Sequence, residues 1–208
     1  MVKLGGAVLV QGAGAVFCAG VSFALTLWLA RVLGTAGFGA YVALLSVATL
    51  ALMLQEGGWP AWLYRERARA DADAYADADA DADAVADLSD GVSRAIMGRF
   101  LVHVGAVSLV LCVGAWWWSG GDAAMALLAM AGVAVMNGVS AGLRGAAWFA
   151  RDAAWQSAGR VVSAVAVAGV LGWGLGSVPL AAVFGAWAAG LGLVLLVVWV
   201  AALQLMLD

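Results

Sequence analysis

The sequence predicts an all-α integral membrane protein, a bundle of six transmembrane helices with both termini in the cytoplasm. Hydrophobic residues make up 65% of the 208 residues and charged residues only 11%, whereas soluble domains are roughly half apolar. Most of the charges fall between uncharged runs that are long enough to cross a bilayer. The basic residues are concentrated in alternate connections between these runs. Together these observations place the chain in lipid as one membrane domain.

Charged residues mark the boundaries of the predicted spans, because a helix needs ~20 apolar residues to cross a hydrocarbon core ~30 Å thick. A short Gly-rich turn joins the first two spans into a helical hairpin, and a turn containing Gly and Pro divides the last uncharged run into two. The predicted spans cover about residues 6–30, 38–62, 100–119, 123–143, 161–176 and 180–206.

The basic residues predict the orientation, because short loops rich in Lys and Arg stay on the cytoplasmic side. Six spans place both termini, the 2–3 loop and the 4–5 loop on one side, and only Arg31 falls on the other. The residues on the cytoplasmic side are Lys3, Arg65, Arg67, Arg69, Arg94, Arg99, Arg144, Arg151 and Arg160. The excess of Arg over Lys, with abundant Ala and Gly, favours a GC-rich bacterial genome, and hence the bacterial inner membrane.

An acidic low-complexity loop covers residues 65–99, between the second and third spans. It contains an Asp-Ala alternation whose carboxylates repel one another: Asp71, Asp73, Asp77, Asp79, Asp81, Asp83, Asp87 and Asp90. This composition favours a disordered, solvated linker. The alternative is a weak tether for divalent cations or a basic partner, because alternate Asp residues would line one side of an extended strand.

Residues that could support catalysis do not cluster at one depth, so the sequence predicts that the chain is not an enzyme and has no cofactor or metal site. Cys18 and Cys112 lie in apolar runs, which favours small core residues over a disulfide. His103, the only histidine, is expected to hydrogen-bond a neighbouring helix rather than carry protons. Apart from Glu56 the predicted spans contain no Asp or Glu, which disfavours cation coupling. No feature indicates a nucleic-acid partner.

Four residues are the candidate substrate contacts. For Gln11 and Asn137, an interhelical hydrogen bond is favoured over a substrate contact. Arg31 and Arg144 lie at predicted helix ends, where snorkelling to the headgroups is favoured. The alternative for these arginines is recognition of an anionic phosphate, which the guanidinium fork suits. Other polar residues of the spans are Ser22 and Ser140.

Two pairs of glycines have the small-xxx-small spacing that lets helix backbones approach closely in lipid. Gly138 and Gly142 lie in the fourth predicted span, and Gly172 and Gly176 lie in the fifth. The spacing predicts a packed bundle, although in a chain with 28 glycines it also arises by chance.

The amino-acid sequence of the first hairpin resembles that of a known protein family. The turn reads Arg31-Val-Leu33-Gly34-Thr-Ala-Gly-Phe38-Gly39-Ala-Tyr41, and the second span ends near Glu56-Gly57-Gly58 and Arg65-Glu66. This resembles the polysaccharide-exporter flippases, the O-antigen and lipid-linked oligosaccharide transporters of the multidrug/oligosaccharidyl-lipid/polysaccharide superfamily. The step Leu143-Arg144-Gly145 and Arg160 are similar to their segment between the fourth and fifth helices.

The resemblance implies a fold and a function. Members have two six-helix lobes that alternately open a central cavity, so this chain would supply the N-terminal lobe and need a second lobe or a second copy. The implied substrate is a polyprenyl-diphosphate oligosaccharide, with Arg31 and Arg144 contacting its anionic groups. The alternative is a non-transporting protein, either a truncated remnant or an accessory membrane subunit.

Overall fold

The chain is helical throughout most of its length in a computed structural model that describes residues 4–76, 82–173 and 178–207. The helices are α1 (Leu4–Glu56), α2 (Trp59–Ala76), α3 (Ala82–Ser119), α4 (Gly121–Gly145), α5 (Phe149–Trp173) and α6 (Leu180–Leu207). Among these residues, five helices, all except α2, are long and apolar enough to cross a membrane. The all-α class is confirmed, and the helices are those of a membrane-embedded bundle.

Helix α1 folds back on itself at Gly34. Its 53 residues would extend for about 80 Å if straight, far more than the ~30 Å of a hydrocarbon core. Gly34 has φ 65° and ψ −178°, a conformation that only glycine adopts without strain. Gln11 and Glu56 lie near the two ends of α1, yet both have contacts beside the last part of α4. Glu56 accepts a hydrogen bond from Asn137, and Gln11 donates to Asp152, which also accepts from Ser140. The bend therefore lies where the sequence predicts the turn of a hairpin.

A second break separates α1 from α2 at Gly57 and Gly58, which have φ of 53° and 80°. A Cβ atom on Gly57 would lie 2.6 Å from Nε2 of His103, so both the backbone conformation and the contact require glycine. The predicted second span crosses this break. Helix α2 begins at Trp59 and packs against α3 and α4, so the chain continues as helix where the span was expected to end.

The stretch predicted to be a disordered linker is helical where the structure describes it. Residues 65–76 belong to α2 and residues 82–99 to α3. The alternate alanines explain the difference, because alanine has the highest helix propensity and offsets the lower propensity of aspartate. Asp77, Asp79 and Asp81 lie outside the described residues.

The helix that contains the fifth predicted span begins earlier than that span, and this difference matters most for the site. Helix α5 starts at Phe149 rather than near residue 161, so Arg151, Asp152 and Arg160 lie on a helix instead of in a loop. The connection from α4 is only residues 146–148. The backbone amides of this connection satisfy the last carbonyl oxygens of α4. The amides of Ala146, Ala147 and Trp148 donate to the carbonyl oxygens of Gly142, Arg144 and Leu143, respectively. The position of the charges therefore did not reveal where this helix begins.

Helix α4 is the centre of the bundle and contacts all five other helices. Close approach depends on glycine: a Cβ atom on Gly138 would lie 2.2 Å from Cε1 of Phe100, which is fully buried. Gly142, its predicted partner in the small-xxx-small pair, has open space around it. The same is true of Gly172, and Gly176 lies outside the described residues. Of the two predicted pairs, only Gly138 is a close helix contact among these residues.

The end of the bundle nearest the α3–α4 connection is held by a cap. Oδ1 of Asp122, in the first turn of α4, accepts a hydrogen bond of 2.6 Å from the amide of Ala181 at the start of α6. A carboxylate in this position satisfies a free helix amide and complements the helix dipole. Three exposed tryptophans lie at the end of α3, shortly before Asp122: Trp116, Trp117 and Trp118. Tryptophans are enriched in this way at the interface between a membrane and water.

Candidate functional site

A polar network occupies the opposite end of the bundle. It consists of two neighbouring groups of contacts: Gln11, Ser140 and Arg144 around Asp152, and Asn137 with Glu56. The first group connects the start of α1 to α4 and α5, and the second connects the end of α1 to α4. Polar groups at such a position are costly unless they are hydrogen-bonded to one another.

Asp152 is the most connected member of the network. The residue is only 3% exposed, and its carboxylate accepts hydrogen bonds from Nε2 of Gln11, at 2.9 Å, and from the hydroxyl of Ser140. Nε of Arg144 lies 3.7 Å from the same carboxylate. Asp152 also lies in the first turn of α5, where the helix dipole favours a negative charge. These contacts compensate the burial of the charged group.

The rest of the network connects the end of α1 to α4. Nδ2 of Asn137 donates a hydrogen bond of 2.6 Å to Oε1 of Glu56, and Asn137 lies one helical turn before Ser140. Gln11 also donates to the backbone oxygen of Phe149 at 3.1 Å. The amides of Gln11 and Asn137 therefore both make interhelical hydrogen bonds, as expected. A substrate contact by either residue stays a prediction.

Two further polar side chains link α1 to its neighbours. Gln55 is fully buried, and its Nε2 donates to the hydroxyl oxygen of Ser108 and to the backbone oxygen of Leu127. Nε2 of His103 lies 3.1 Å from the backbone oxygen of Leu54, so the expected contact of the histidine with a neighbouring helix is confirmed. Both contacts fix the last turn of α1 against α3.

A small cavity adjoins the network between α4, α5 and α6. Its volume of about 30 Å³ accommodates one or two water molecules. Gln156 and Arg160 are its polar residues on α5, and Asn137 links it to the network. The lining residues are Val133, Met136, Asn137, Gln156, Gly159, Arg160, Trp187 and Leu191.

The four predicted contact residues do not form one site. Gln11, Asn137 and Arg144 belong to the polar network, where Arg144 remains 47% exposed. Arg31 precedes the bend at Gly34, about 30 Å along α1 from Gln11, and lies at the other end of the bundle. It is exposed and makes no hydrogen bond or ion pair with the rest of the described chain. The two arginines therefore do not act on one group at the same time in this conformation.

Sequence reasoning missed Asp152, because its charge was taken as the mark of a loop. Asp152 therefore lies on an apolar helix that is long enough to cross a membrane, whereas Glu56 was the only acid expected in the spans. A signal was present in the spacing of residues that prove to be buried along α5, which are Asp152, Trp155, Gly159, Ser163 and Val167. Intervals of three and four residues indicate one face of a helix, and this face includes the aspartate.

Metal ligands do not come together in the part of the chain that the structure describes, where no group of three or more His, Cys, Asp or Glu side chains forms. Cys18 and Cys112 are free. Sγ of Cys18 lies 3.8 Å from the hydroxyl oxygen of Ser157, and Cys112 donates to the backbone oxygen of Ala124. Both cysteines therefore contribute to contacts between helices.

The fold and the network together define a helical membrane protein with a polar cluster inside one end of its bundle. Comparison with protein-family models, with curated proteins and with solved structures finds no match to this chain.

Proposed function

We propose that this chain is one lobe of a membrane transporter that moves lipid-linked oligosaccharide or polysaccharide precursors across the cytoplasmic membrane. The observation that carries the proposal is the polar network, because ionisable groups inside a membrane bundle are expensive and commonly mark a substrate or ion pathway. Transporters commonly bind their substrate at the interface between two lobes. The proposal therefore includes a second lobe or a second copy of this chain. It includes no catalytic activity.

The resemblance of the first hairpin supports this choice of substrate. Gly34, the glycine of the motif, adopts a positive φ at the bend of α1, which gives the motif a physical role. Arg144, at the edge of the network, keeps part of its guanidinium exposed for an anionic group. Arg31 would act at the other end, as an entry or exit contact for the same charged headgroup.

The proposal also includes six membrane crossings with both termini in the cytoplasm, because α1 is long enough to cross twice. A fluorescent protein fused after Asp208 is expected to fluoresce, and alkaline phosphatase inserted at Gly120 is expected to be active. The physical reason is the cytoplasmic retention of basic loops. Phosphatase activity at the C-terminus, or none at Gly120, would show that the proposed topology is wrong.

Replacing Arg31 or Arg144 with alanine is expected to lower polysaccharide export about tenfold without lowering the amount of protein in the membrane. Loss of one charge-assisted hydrogen bond has an effect of this size. The measurement is export in cells that depend on this chain and its second lobe. Arg151, which stacks over the ring of Trp148 at 4.5 Å, provides a matched control, since R151A removes an exposed arginine outside the network. Unchanged export in both R31A and R144A would remove both residues from the site.

The second candidate is a non-transporting accessory subunit or a truncated remnant. One observation favours it: the amides of Gln11 and Asn137 are already engaged with other helices, as in a network that only holds a bundle together. A neighbouring reading frame with six further spans, among glycosyltransferase genes, favours the transporter. No export by the chain, alone or with such a second lobe, would favour the subunit or remnant.

A further inference from the structure

A groove between α3 and α6 leaves part of the central helix uncovered. Both helices pack on α4, which forms the floor of the groove, and the volume of the groove is about 740 Å³. Leu128 on this floor is 46% exposed. The lining residues of α3 extend from Leu101 to Cys112, a length of about 16 Å. All three helices are long and apolar enough to cross a membrane along this stretch, so the groove opens toward lipid.

The walls of the groove carry glycines that the chain's own packing does not require. Gly105 on α3 lines it, as do Gly185 and Gly192 on α6. No described atom lies within 4 Å of a Cβ built on Gly105 or Gly192, and a Cβ on Gly185 would meet only the sulfur of Met125, at 3.8 Å. Small residues on a lipid-facing surface let another helix approach closely. The groove therefore has room for a helix from outside this chain.

A buried hydroxyl in the α3 wall indicates the chemistry of the occupant. Ser108 lines the groove and is 7% exposed. Its oxygen accepts a hydrogen bond from Nε2 of Gln55, and the orientation of this amide is fixed because it also donates to the backbone oxygen of Leu127. The hydroxyl hydrogen of Ser108 has no acceptor among the residues that the structure describes, and an unsatisfied donor is costly away from water. A hydrocarbon tail offers no acceptor, whereas a protein helix does.

A second copy of this chain matches these features by symmetry. Two copies with the same orientation in the membrane are related by a twofold axis along the membrane normal, so each surface meets the same surface of its partner. The two α3 helices then lie side by side at the same depth. Ser108 of each copy therefore faces the oxygen atoms around Ser108 of the other, and the open space at Gly105 lets the two backbones approach. Leu109, which is 66% exposed at the rim, enters the groove of the other copy.

We propose that two copies of this chain associate in the membrane through this groove, with their α3 helices in contact at Gly105 and Ser108. The inference goes beyond the proposed function, because the contact does not depend on what the chain transports.

Cysteine cross-linking in the membranes of expressing cells tests the contact directly. In the full chain with Cys18 and Cys112 replaced by alanine, L109C is expected to form a disulfide-linked dimer on oxidation with copper phenanthroline. V110C is the matched control, because Val110 is the next residue, is 72% exposed and does not line the groove. Equal cross-linking of the two variants, or no homodimer of L109C, would overturn the proposal. So would a cross-link of L109C only to a different protein, which would then be the occupant.

Energy transfer between labelled copies in phosphatidylcholine liposomes measures the strength of association as the protein-to-lipid ratio is varied. G105L fills the space between the helices and is expected to weaken association about tenfold or more, and S108A about threefold or more. G114L is the matched control, because a Cβ on Gly114 also has open space and lies half a turn away, on the opposite side of α3. A wild-type chain that stays monomeric at every ratio, with lipid in the groove, would overturn the proposal. Equal association of G105L, G114L and the wild type would also overturn it.

The two proposals fail separately. If the wild type associates through the groove but supports no export, the contact is retained and the transport function is wrong. If export depends on the chain while the chain remains monomeric, the transport function is retained and the contact between copies is wrong.

Discussion

Replacing Gly138 with alanine is expected to destabilise the bundle by about 1–3 kcal/mol, the usual range for overpacking a tight core. The added Cβ would lie 2.2 Å from Cε1 of Phe100, and the phenyl ring is fully buried with no room to move away. Helices α3 and α4 must therefore separate. The free energy of unfolding of the purified chain in detergent micelles measures the effect.

Gly142 provides the matched control, one turn further along the same helix. No atom lies within 4 Å of a Cβ built on Gly142, so G142A adds a methyl group without a clash. Alanine is the better helix former, by up to about 1 kcal/mol, so stability should be unchanged or slightly higher. If G138A and G142A had equal effects, the close contact of α3 and α4 at Gly138 would be wrong.

Replacing Asp152 with alanine is expected to lower the free energy of unfolding by about 2–4 kcal/mol. The substitution leaves Gln11, Ser140 and Arg144 without their common acceptor, and polar side-chain contacts in membrane bundles contribute about 0.6 kcal/mol on average and up to about 1.7. The remaining cost comes from the buried hydroxyl of Ser140, which is left without its acceptor. The Arg144 guanidinium adds little, because it is 47% exposed and water solvates it. Unfolding in the same micelles reports the loss.

The amide variant D152N separates charge from shape, because it keeps one acceptor oxygen of the same size. It should be intermediate between the wild type and D152A. A double-mutant cycle of Q11L with D152A isolates the hydrogen bond between these side chains, and we expect a coupling of roughly 0.6–1.7 kcal/mol. A coupling of zero, with D152A as stable as the wild type, would show that the network does not hold α1 against α5.

Much of the fold follows from local features of the chain. The break in α1 at Gly34 was predictable, because a Gly-rich segment between two apolar runs must turn if both runs are to remain in lipid. The hydrogen bonds of Gln11, Asn137 and His103 to other helices were also predictable. Each is a polar group in an apolar run, and the bilayer supplies no water to satisfy it.

The site was only partly predictable. Asp152 and Arg160 were assigned to a loop because charges were taken as span boundaries, although α5 carries both on a continuous helix. The rule that charged residues mark the ends of spans fails when a charge is compensated inside the bundle. The charge of Asp152 is compensated in this way by Gln11, Ser140 and Arg144. Such compensation depends on which helices are neighbours, and no single segment contains that information.

Composition and spacing along the chain are enough to predict a helical protein and to place most of its helices, because lipid requires long apolar segments to satisfy their own backbone hydrogen bonds. The packing of the helices was needed to show that both ends of α1 meet at α4 and that Asp152 is buried among polar side chains. These are properties of contacts between distant segments. Chain composition limits such contacts but does not select them.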